Sequence, residues 1–464
     1  MYLVFMLGIG LYTNKNSIKN SNDYLVAGRR LPWWLLVGTL AATEIGAGST
    51  MGVTQKAYGQ WGLGSAWYIW TMAISFAVIA FIAPILRRSE VRTVPEFFLQ
   101  KYGRTNHIVT SLIMFFPLIG LTSVQMIATA TIFSAVTGID YTTSAIISCG
   151  VIVIYTVLGG MWSVSLTDFY QWILIVFGMG ITLPFVIIKS GGWSEMISCI
   201  PPAKLNIFEG IGIGTIISLI IMYVSSMLVG QEVTQRLYSG KNEKHVFIGS
   251  IVTAGFYVLF AFIPPLLGLS IYALVEKGII HAEMIHNFSD MYALPILAVN
   301  TLPPLIVGFL FAGLVSATMS SASSNLLGAA SIFTNDIWVE YFDKKAEDDK
   351  KVLIIRWLVG FVGAISLIIA ILNPQDIIKI LMFSFSLRAA GGFFPYILRH
   401  YFNWITPIAS LSSLILGSVT VLMLEFMQIK ILFLEPIVPA LLVSFLTVVI
   451  TSFITRKPES KLVT

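Results

Sequence analysis

The run AGLVSATMSSASSNLLGAASIFTNDIW, at residues 312–338, decides the fold of this chain. It is an apolar helical run that carries hydroxyl side chains where a lipid-facing helix would carry leucine or valine: Ser316, Thr318, Ser320, Ser321, Ser323 and Ser324. An unpaired hydroxyl costs free energy in hydrocarbon, so these side chains are predicted to face other helices or a cavity. One helical face, with the spacing i, i+3, i+4 and i+7, holds Ala317, Ser320, Ser321 and Ser324.

Two interpretations of this hydroxyl row stay open at this point. Oxygen atoms with no cysteine or histidine nearby suit a hard cation rather than a transition metal. Small residues also let helix backbones approach closely, with hydroxyls bonding from one helix to the next. The remainder of the chain favours the cation site.

The composition is that of a membrane protein. Of the 464 residues, 56% are hydrophobic and 11% charged, and the mean hydropathy is +0.86, whereas soluble domains carry roughly 25% charged residues. Repeated apolar stretches of about 20 residues predict a polytopic all-α protein in a lipid bilayer, because they are too long for barrel strands. The net charge of +5 lies in short loops and does not indicate nucleic-acid binding. Cys149 and Cys199 imply no disulfide framework.

Thirteen membrane spans are predicted from the apolar runs. Their approximate bounds are 1–12, 33–53, 62–86, 108–137, 142–160, 163–188, 208–235, 247–275, 296–333, 353–372, 375–398, 402–425 and 432–455. The run 296–333 is too long for one span, so its first part is predicted to be an extracellular segment that leads into the helix. The run 1–12 is too short to cross a bilayer of about 30 Å, which indicates a mis-assigned or trimmed start.

The positive charges predict the orientation. With the N-terminus outside and the C-terminus inside, 21 of the 28 Lys and Arg residues lie in inner segments and five in outer segments. Lys379 and Arg388 lie within a span. This asymmetry follows the positive-inside rule, and the expected location is the cytoplasmic membrane.

Five stretches now carry a family resemblance: DYLVAGRRLPWW (23–34), AATEIGAGSTMG (41–52), VPEFFLQKYG (94–103), GGMWSVSLTDFYQ (159–171) and SSASSNLLGAASIFTNDIW (320–338). Over nearly its full length the chain resembles the sodium:solute symporter family. The resemblance implies a LeuT-type 5+5 inverted repeat in a single transporter domain, 1–464. The repeats would span 33–188 and 208–398, preceded by an N-terminal helix and loop (1–32) and followed by two helices (402–455).

A transporter core of this type binds its ion and solute near the membrane midplane, where the first helix of each repeat unwinds. In the first repeat, Gly46-Ala47-Gly48 interrupts an apolar helix, and glycine weakens a helix by about 1 kcal/mol relative to alanine. In the second repeat, the corresponding helix carries Ser225, Ser226 and Gly230. Close helix packing is the alternative explanation for these small residues.

The resemblance implies a sodium site shared by the family. Its oxygens would be backbone carbonyls and two hydroxyls, which fall on Ala42, Ile45, Ala317, Ser320 and Ser321. Neutral oxygens favour a monovalent cation, since a divalent ion normally recruits carboxylates. Some members add a second sodium site, which carries over to Asp168, Ser320, Ser323 and Ser324. A carboxylate that is simply hydrogen-bonded to those serines is the alternative role of Asp168.

Glu44 departs from many sugar-transporting members, which have a neutral residue there, and is similar to the acid of proline-transporting members. A carboxylate at bilayer depth is a functional hypothesis by default. Glu44 is predicted to support the ion, to bind an ammonium group of the solute or to carry a coupling proton, and a charge facing a watery vestibule is the alternative. Sodium and proton coupling therefore both stay open.

The substrate is the least determined feature. The resemblance assigns to the solute pocket Glu44, Ser49, Gln125, Tyr223, Ser226 and Met227, with Thr122 and Ser123 as weaker candidates. The sixth-helix positions that hold the sugar in the glucose-type members become Tyr223, Ser226 and Met227, so the aromatic inner-gate pair of those members is absent. An amino acid or a monocarboxylate-like solute therefore fits better than a sugar, while pantothenate and other vitamins stay open.

The leading hypothesis is symport of sodium and a small organic solute by alternating access. A cation channel usually needs a symmetric oligomeric filter. An enzyme is not indicated, because the five histidines form no metal-spaced pair within a span and no G-x-S-x-G motif occurs. A transporter-like sensor would need a signalling domain after the last span. Sodium ions and a small solute are the expected partners, with no protein or nucleic acid indicated.

Overall fold

The computed structural model describes residues 5–6, 8–9, 12–13, 20–281, 283, 292–372, 377–431 and 433–456. The helices in these parts of the chain are α1 (Ser21–Val26), α2 (Trp33–Glu44), α3 (Val53–Tyr58), α4 (Ala66–Arg88), α5 (Val94–Tyr102), α6 (Arg104–Thr137), α7 (Tyr141–Lys189), α8 (Trp193–Ser198), α9 (Pro202–Leu205), α10 (Ile213–Val229), α11 (Gln231–Ser239), α12 (Glu243–Phe260), α13 (Ile263–Glu276), α14 (Ala293–Thr301), α15 (Pro304–Ile332), α16 (Asp348–Leu372), α17 (Ile377–Tyr401), α18 (Pro407–Phe426) and α19 (Ile437–Thr455).

Ten helices of the described residues are long and apolar enough to cross a membrane, or eleven if α10 and α11, bent by 52°, count as one span. The predicted span 33–53 is divided between α2 and α3 by a break. The predicted span 1–12 lies largely outside the described residues. The number of thirteen spans therefore stays a prediction, while its polytopic, helical character is confirmed.

Glycine backbone conformations explain where α7 bends. The predicted spans 142–160 and 163–188 correspond to two segments of α7, Tyr141–Leu158 and Gly160–Lys189, which meet at a kink at Gly160, where φ is 55°. Left-handed φ values favour glycine, and the neighbouring Tyr24 ring gives a second reason for glycine at this position. A Cβ atom at Gly160 would lie 2.8 Å from the Tyr24 ring, so a larger residue would push α1 away from α7.

The long helices pack as two groups that face each other. In one group, α12 packs on α2 and α4, and α10 packs on α4. In the other group, α6, α7, α15 and α16 pack on one another. The break between α2 and α3 lies where the groups meet, because α2 packs on both α7 and α15. The run 312–338 thus lies in the protein interior, as its hydroxyl content predicts.

Candidate functional site

The site is built around the break that follows α2. The helix ends at Glu44, and a wide π-type turn at Gly48–Gly52 precedes α3. The break leaves backbone groups without helical partners, and the side-chain oxygen of Gln125 accepts a hydrogen bond from the Ala47 N–H at 2.9 Å. Gly46 permits this contact, because a Cβ atom there would lie 2.7 Å from both Gln125 Oε1 and Ser321 Oγ. The predicted interruption of this helix is confirmed.

The serine face of α15 meets the last turn of α2. Ser320 Oγ donates to the Ala42 carbonyl at 2.8 Å, and Ser321 Oγ donates to the Thr43 carbonyl at 2.6 Å. Both hydroxyls also lie within hydrogen-bond distance of the Ala317 carbonyl, at 3.0 and 3.1 Å. Four of the five residues predicted for the first sodium site are thereby brought together. The fifth, Ile45, is buried in the break next to them.

This arrangement has the donor chemistry that a sodium ion needs. It offers carbonyl and hydroxyl oxygens with no net charge, which suits a hard monovalent cation. Among the described residues no group of three or more His, Cys, Asp or Glu side chains could hold a metal ion. The hydroxyls donate to the carbonyls here, and each hydroxyl oxygen retains lone pairs that a cation can use.

The residues predicted for a second sodium site also lie together, but an arginine joins them. Asp168 Oδ2 accepts hydrogen bonds from Arg236 Nη2 at 2.9 Å and from the Thr39 hydroxyl at 2.6 Å. Arg236 Nη2 also donates to Ser324 Oγ at 2.5 Å. Ser323 Oγ donates to the Ser320 carbonyl within α15. A guanidinium group therefore already supplies positive charge to Asp168 and Ser324.

A small cavity adjoins the break. Of the residues predicted to contact a solute, four line it: Glu44, Ser49, Gln125 and Tyr223. Its wall also includes residues that the sequence interpretation missed, namely Thr43, Tyr68, Glu232, Asn325 and Phe385. The Tyr223 ring packs between those of Tyr68 and Phe385, with centroids 5.3 and 5.2 Å away. An aromatic wall is thus present although the sixth core helix lacks the gate pair.

The structure places the remaining solute-site candidates elsewhere. Met227 is buried and does not line the cavity, and Ser226 Oγ accepts a hydrogen bond from Arg388 Nε at 2.6 Å. Thr122 and Ser123 donate to carbonyls of their own helix. These two hydroxyls are therefore used within their helix, which fits helix packing better than solute binding.

A buried ion pair behind the cavity wall is the main feature that the sequence interpretation missed. Arg388 Nη1 donates to Glu232 Oε1 at 2.6 Å, and both side chains are at most 3% exposed. The Arg388 guanidinium also lies 4.7 Å from the centroid of the Phe385 ring. The sequence offered one signal for this pair: two charged residues lie at membrane depth, and a charged residue at that depth usually marks a functional site and has a partner. Only their contact across 156 positions shows that they are partners.

The chain is similar to known transporters over almost its whole length. The model of the sodium:solute symporter family matches residues 24–417. The osmoregulated proline transporter OpuE of Bacillus subtilis is 28% identical over 99% of this chain and 94% of its own length. The sodium/pantothenate symporter of Haemophilus influenzae is 27% identical, with 96% and 94% covered. A sodium/proline symporter of Staphylococcus aureus is 25% identical, with 99% and 92% covered.

A solved structure shows the same fold. A sodium-coupled sialic acid symporter, in a substrate-bound outward-open state, superimposes with a TM-score of 0.83 at 21% identity. The match covers 98% of this chain and 96% of that one. The predicted LeuT-type all-α fold is thereby confirmed. With the family match over residues 24–417, the chain belongs to the sodium:solute symporter family, and it is a membrane transporter that couples sodium to the movement of a small solute.

Proposed function

We propose that this symporter takes up a small amino acid, with proline as the first candidate, across the cytoplasmic membrane. The names of two relatives, a proline transporter and a sodium/proline symporter, support this substrate class. The cavity beside the break is lined by the polar side chains of Glu44, Ser49, Gln125 and Tyr223, which suit a small polar solute.

The observation that carries the proposal is the contact of the α15 hydroxyls with the end of α2. Sodium would be held by the carbonyls of Ala42, Ile45 and Ala317 and by the hydroxyls of Ser320 and Ser321. In that position the ion joins α15 to the break in α2. The same break forms one wall of the solute cavity. Binding of the ion therefore orders the wall that the solute contacts, which is a direct basis for coupling.

The solute would lie against Glu44, Ser49, Gln125 and Tyr223, which all line the cavity. Access from each side would alternate as the two helix groups move against each other. We assign the inverted repeats to 33–188 and 208–398, since each range contains one of the two broken helices. The N-terminus is placed outside and the C-terminus inside, on the basis of the charge asymmetry.

Uptake by purified protein in liposomes tests this function. Radiolabelled proline, other amino acids, lactate, pantothenate and glucose are offered under a sodium gradient and, separately, under a proton gradient. We expect sodium-driven accumulation of an amino acid and none with protons alone. Accumulation of pantothenate or lactate without any amino acid would replace the proposed substrate class, and proton-driven uptake would replace the ion.

A further inference from the structure

Glu232 brings a second carboxylate to the solute cavity, besides Glu44. It lies in the first turn of α11, directly after the bend at Gly230, and it lines the cavity. Its Oε1 atom is held by Arg388, whereas its Oε2 atom is buried and has no hydrogen-bond partner among the described residues. A buried carboxylate oxygen without a donor is costly, so this atom calls for a donor that arrives with a ligand.

The cavity wall has one sign of charge. Glu44 and Glu232 both line it, and no Lys, Arg or His from the described part of the chain does. Arg388 compensates the charge of Glu232 from outside the cavity, so the net excess at the wall is the negative charge of Glu44. In a poorly hydrated cavity such a charge attracts cations and repels anions more strongly than it does in water. A solute whose charge is a carboxylate alone is therefore disfavoured at this wall, and a solute with an ammonium group is favoured.

Arg388 holds Glu232 in place from behind the cavity wall. Its Nε atom donates to Ser226 Oγ on α10, and its Nη1 atom donates to Glu232 on α11. Gly230 lets the pair approach the bend, since a Cβ atom there would lie 2.7 Å from Glu232 Oε1. With Oε1 fixed by Arg388, Glu232 keeps Oε2 for a ligand. The Nη2 atom of Arg388 is likewise buried without a hydrogen-bond partner among the described residues, but Arg388 does not line the cavity and Glu232 does. Arg388 is thus a positioning residue.

We propose that Glu232, together with Glu44, forms a subsite that binds the ammonium group of the solute. Sodium occupies the neutral oxygens of Ser320 and Ser321, so the two cations have separate sites. The inference rests on the proposed amino-acid transport and extends it, because it assigns the amino group, rather than the carboxylate, to these acids. It also makes Glu232 the residue that separates amino acids from monocarboxylates.

Two half-molecules of proline provide the test. Pyrrolidine keeps the protonated ring nitrogen and lacks the carboxylate, whereas tetrahydro-2-furoate keeps the carboxylate and has a ring oxygen instead of the nitrogen. Each is titrated as an inhibitor of sodium-driven proline uptake in liposomes. We expect pyrrolidine to inhibit the wild type and tetrahydro-2-furoate to have little effect.

Glu232→Gln keeps the shape of the side chain and removes its charge. We expect this variant to lose about 10- to 100-fold in pyrrolidine potency, the usual range for a hydrogen bond to a charged group, with sodium affinity unchanged. Glu243→Gln, at an exposed acid paired with Arg88, is the matched control and should behave as the wild type. Equal potency of pyrrolidine on wild type and Glu232→Gln would overturn the inference. A loss of sodium affinity, with the potency of pyrrolidine relative to that of tetrahydro-2-furoate unchanged, would overturn it too.

Two further measurements keep the inference distinct from protein stability and from the proposed function. Because Glu232→Gln leaves Arg388 buried and unpaired, the double variant Glu232→Gln/Arg388→Gln removes both charges and should fold even if the single one does not. The same loss of pyrrolidine potency is expected of it. Thermal stabilisation of the purified proteins by pyrrolidine is measured in parallel. Stabilisation of wild type but not of the variants, without uptake of any amino acid, refutes the proposed function and leaves the subsite standing.

Discussion

At the scale of single residues, the hydroxyls of Ser320 and Ser321 are the contact between α15 and α2 that sodium is proposed to use. Replacing both with alanine removes two ligands and preserves the shape of the helix. We expect sodium-driven uptake to fall at least about tenfold, while the protein still reaches the membrane. Uptake and the amount of membrane protein are measured on the same vesicles.

A matched control comes from a hydroxyl pair outside the site. Ser413 and Ser444 join α18 to α19 through a contact of 2.7 Å, and both are buried. The double change of these two serines to alanine removes the same number of buried hydroxyls, and sodium-driven uptake should survive it. Equal sodium dependence in the Ser320→Ala/Ser321→Ala variant and the wild type would remove the sodium site from α15.

Glu44 is the second residue whose role a single variant decides. It ends α2 beside the carbonyl of Ala42, so its charge lies close to the proposed ion. Glu44→Gln should weaken the apparent sodium affinity about 5- to 150-fold, which is the 1–3 kcal/mol typical of coupling between two sites. Sodium affinity and the pH dependence of uptake are measured together. A change in pH dependence alone would indicate a coupling proton, and no change in either would limit Glu44 to the ammonium subsite.

At the scale of helices, the pair of Arg236 with Asp168 ties four elements together. Asp168 belongs to α7 and Arg236 to α11. Thr39, which contacts both, belongs to α2, and Ser324, which contacts Arg236, belongs to α15. Breaking a buried ion pair by removing one charge typically costs about 3–5 kcal/mol. We therefore expect Asp168→Asn to lower the thermal unfolding temperature of the purified protein markedly, which a fluorescence melt measures.

The same pair bears on the number of sodium ions. Because the guanidinium already contacts Asp168 and Ser324, we expect the wild type to show a Hill coefficient for sodium close to one. A coefficient clearly above one, reduced by Asp168→Asn, would instead place a second ion on Asp168, Ser323 and Ser324 after Arg236 has moved away.

Helix interruptions were the element-scale features that the sequence could indicate. Glycines at 46 and 48 weaken a helix in any context, so the break after α2 follows from local propensity. The bend at Gly230 has the same origin. What propensity cannot supply is the partner of each freed group. Gln125 was expected to contact the solute, and it lines the cavity, but it also caps the break at Ala47, a contact that only the approach of α6 to the break creates.

At the scale of the whole molecule, the sequence predicts the features that depend on periodic or local patterns, but it does not predict which distant residues pair. Apolar runs predict the spans and the serine spacing predicts the buried face of α15, because both depend on neighbours within a few turns. Glu232 and Arg388 are 156 positions apart, and nothing in either local sequence indicates the other. Charge at membrane depth marks each residue as unusual, yet their pairing depends on the fold that brings α11 beside α17.

The orientation in the membrane is a property of the whole chain, and one native cysteine makes it measurable. Cys199 is half-buried between α8 and α9, in a segment predicted to lie outside, whereas Cys149 is buried. A membrane-impermeant maleimide should therefore label Cys199 in intact cells. In a Cys199→Ser background, Lys241→Cys, at an exposed position predicted to lie inside, should be labelled only after the membrane is permeabilised.

The rate at which the maleimide labels Cys199 is expected to depend on pH. The Glu276 carboxylate, hydrogen-bonded to the Cys199 thiol, raises the pKa of this thiol above its ordinary value. The thiolate is the reactive form, so it is scarcer at neutral pH than for a free cysteine, and labelling should accelerate as the pH rises. Glu276→Gln removes the charge, lowers the thiol pKa and should speed labelling at neutral pH. Labelling of Lys241→Cys, rather than Cys199, in intact cells would reverse the proposed orientation, since both residues report through the same reagent.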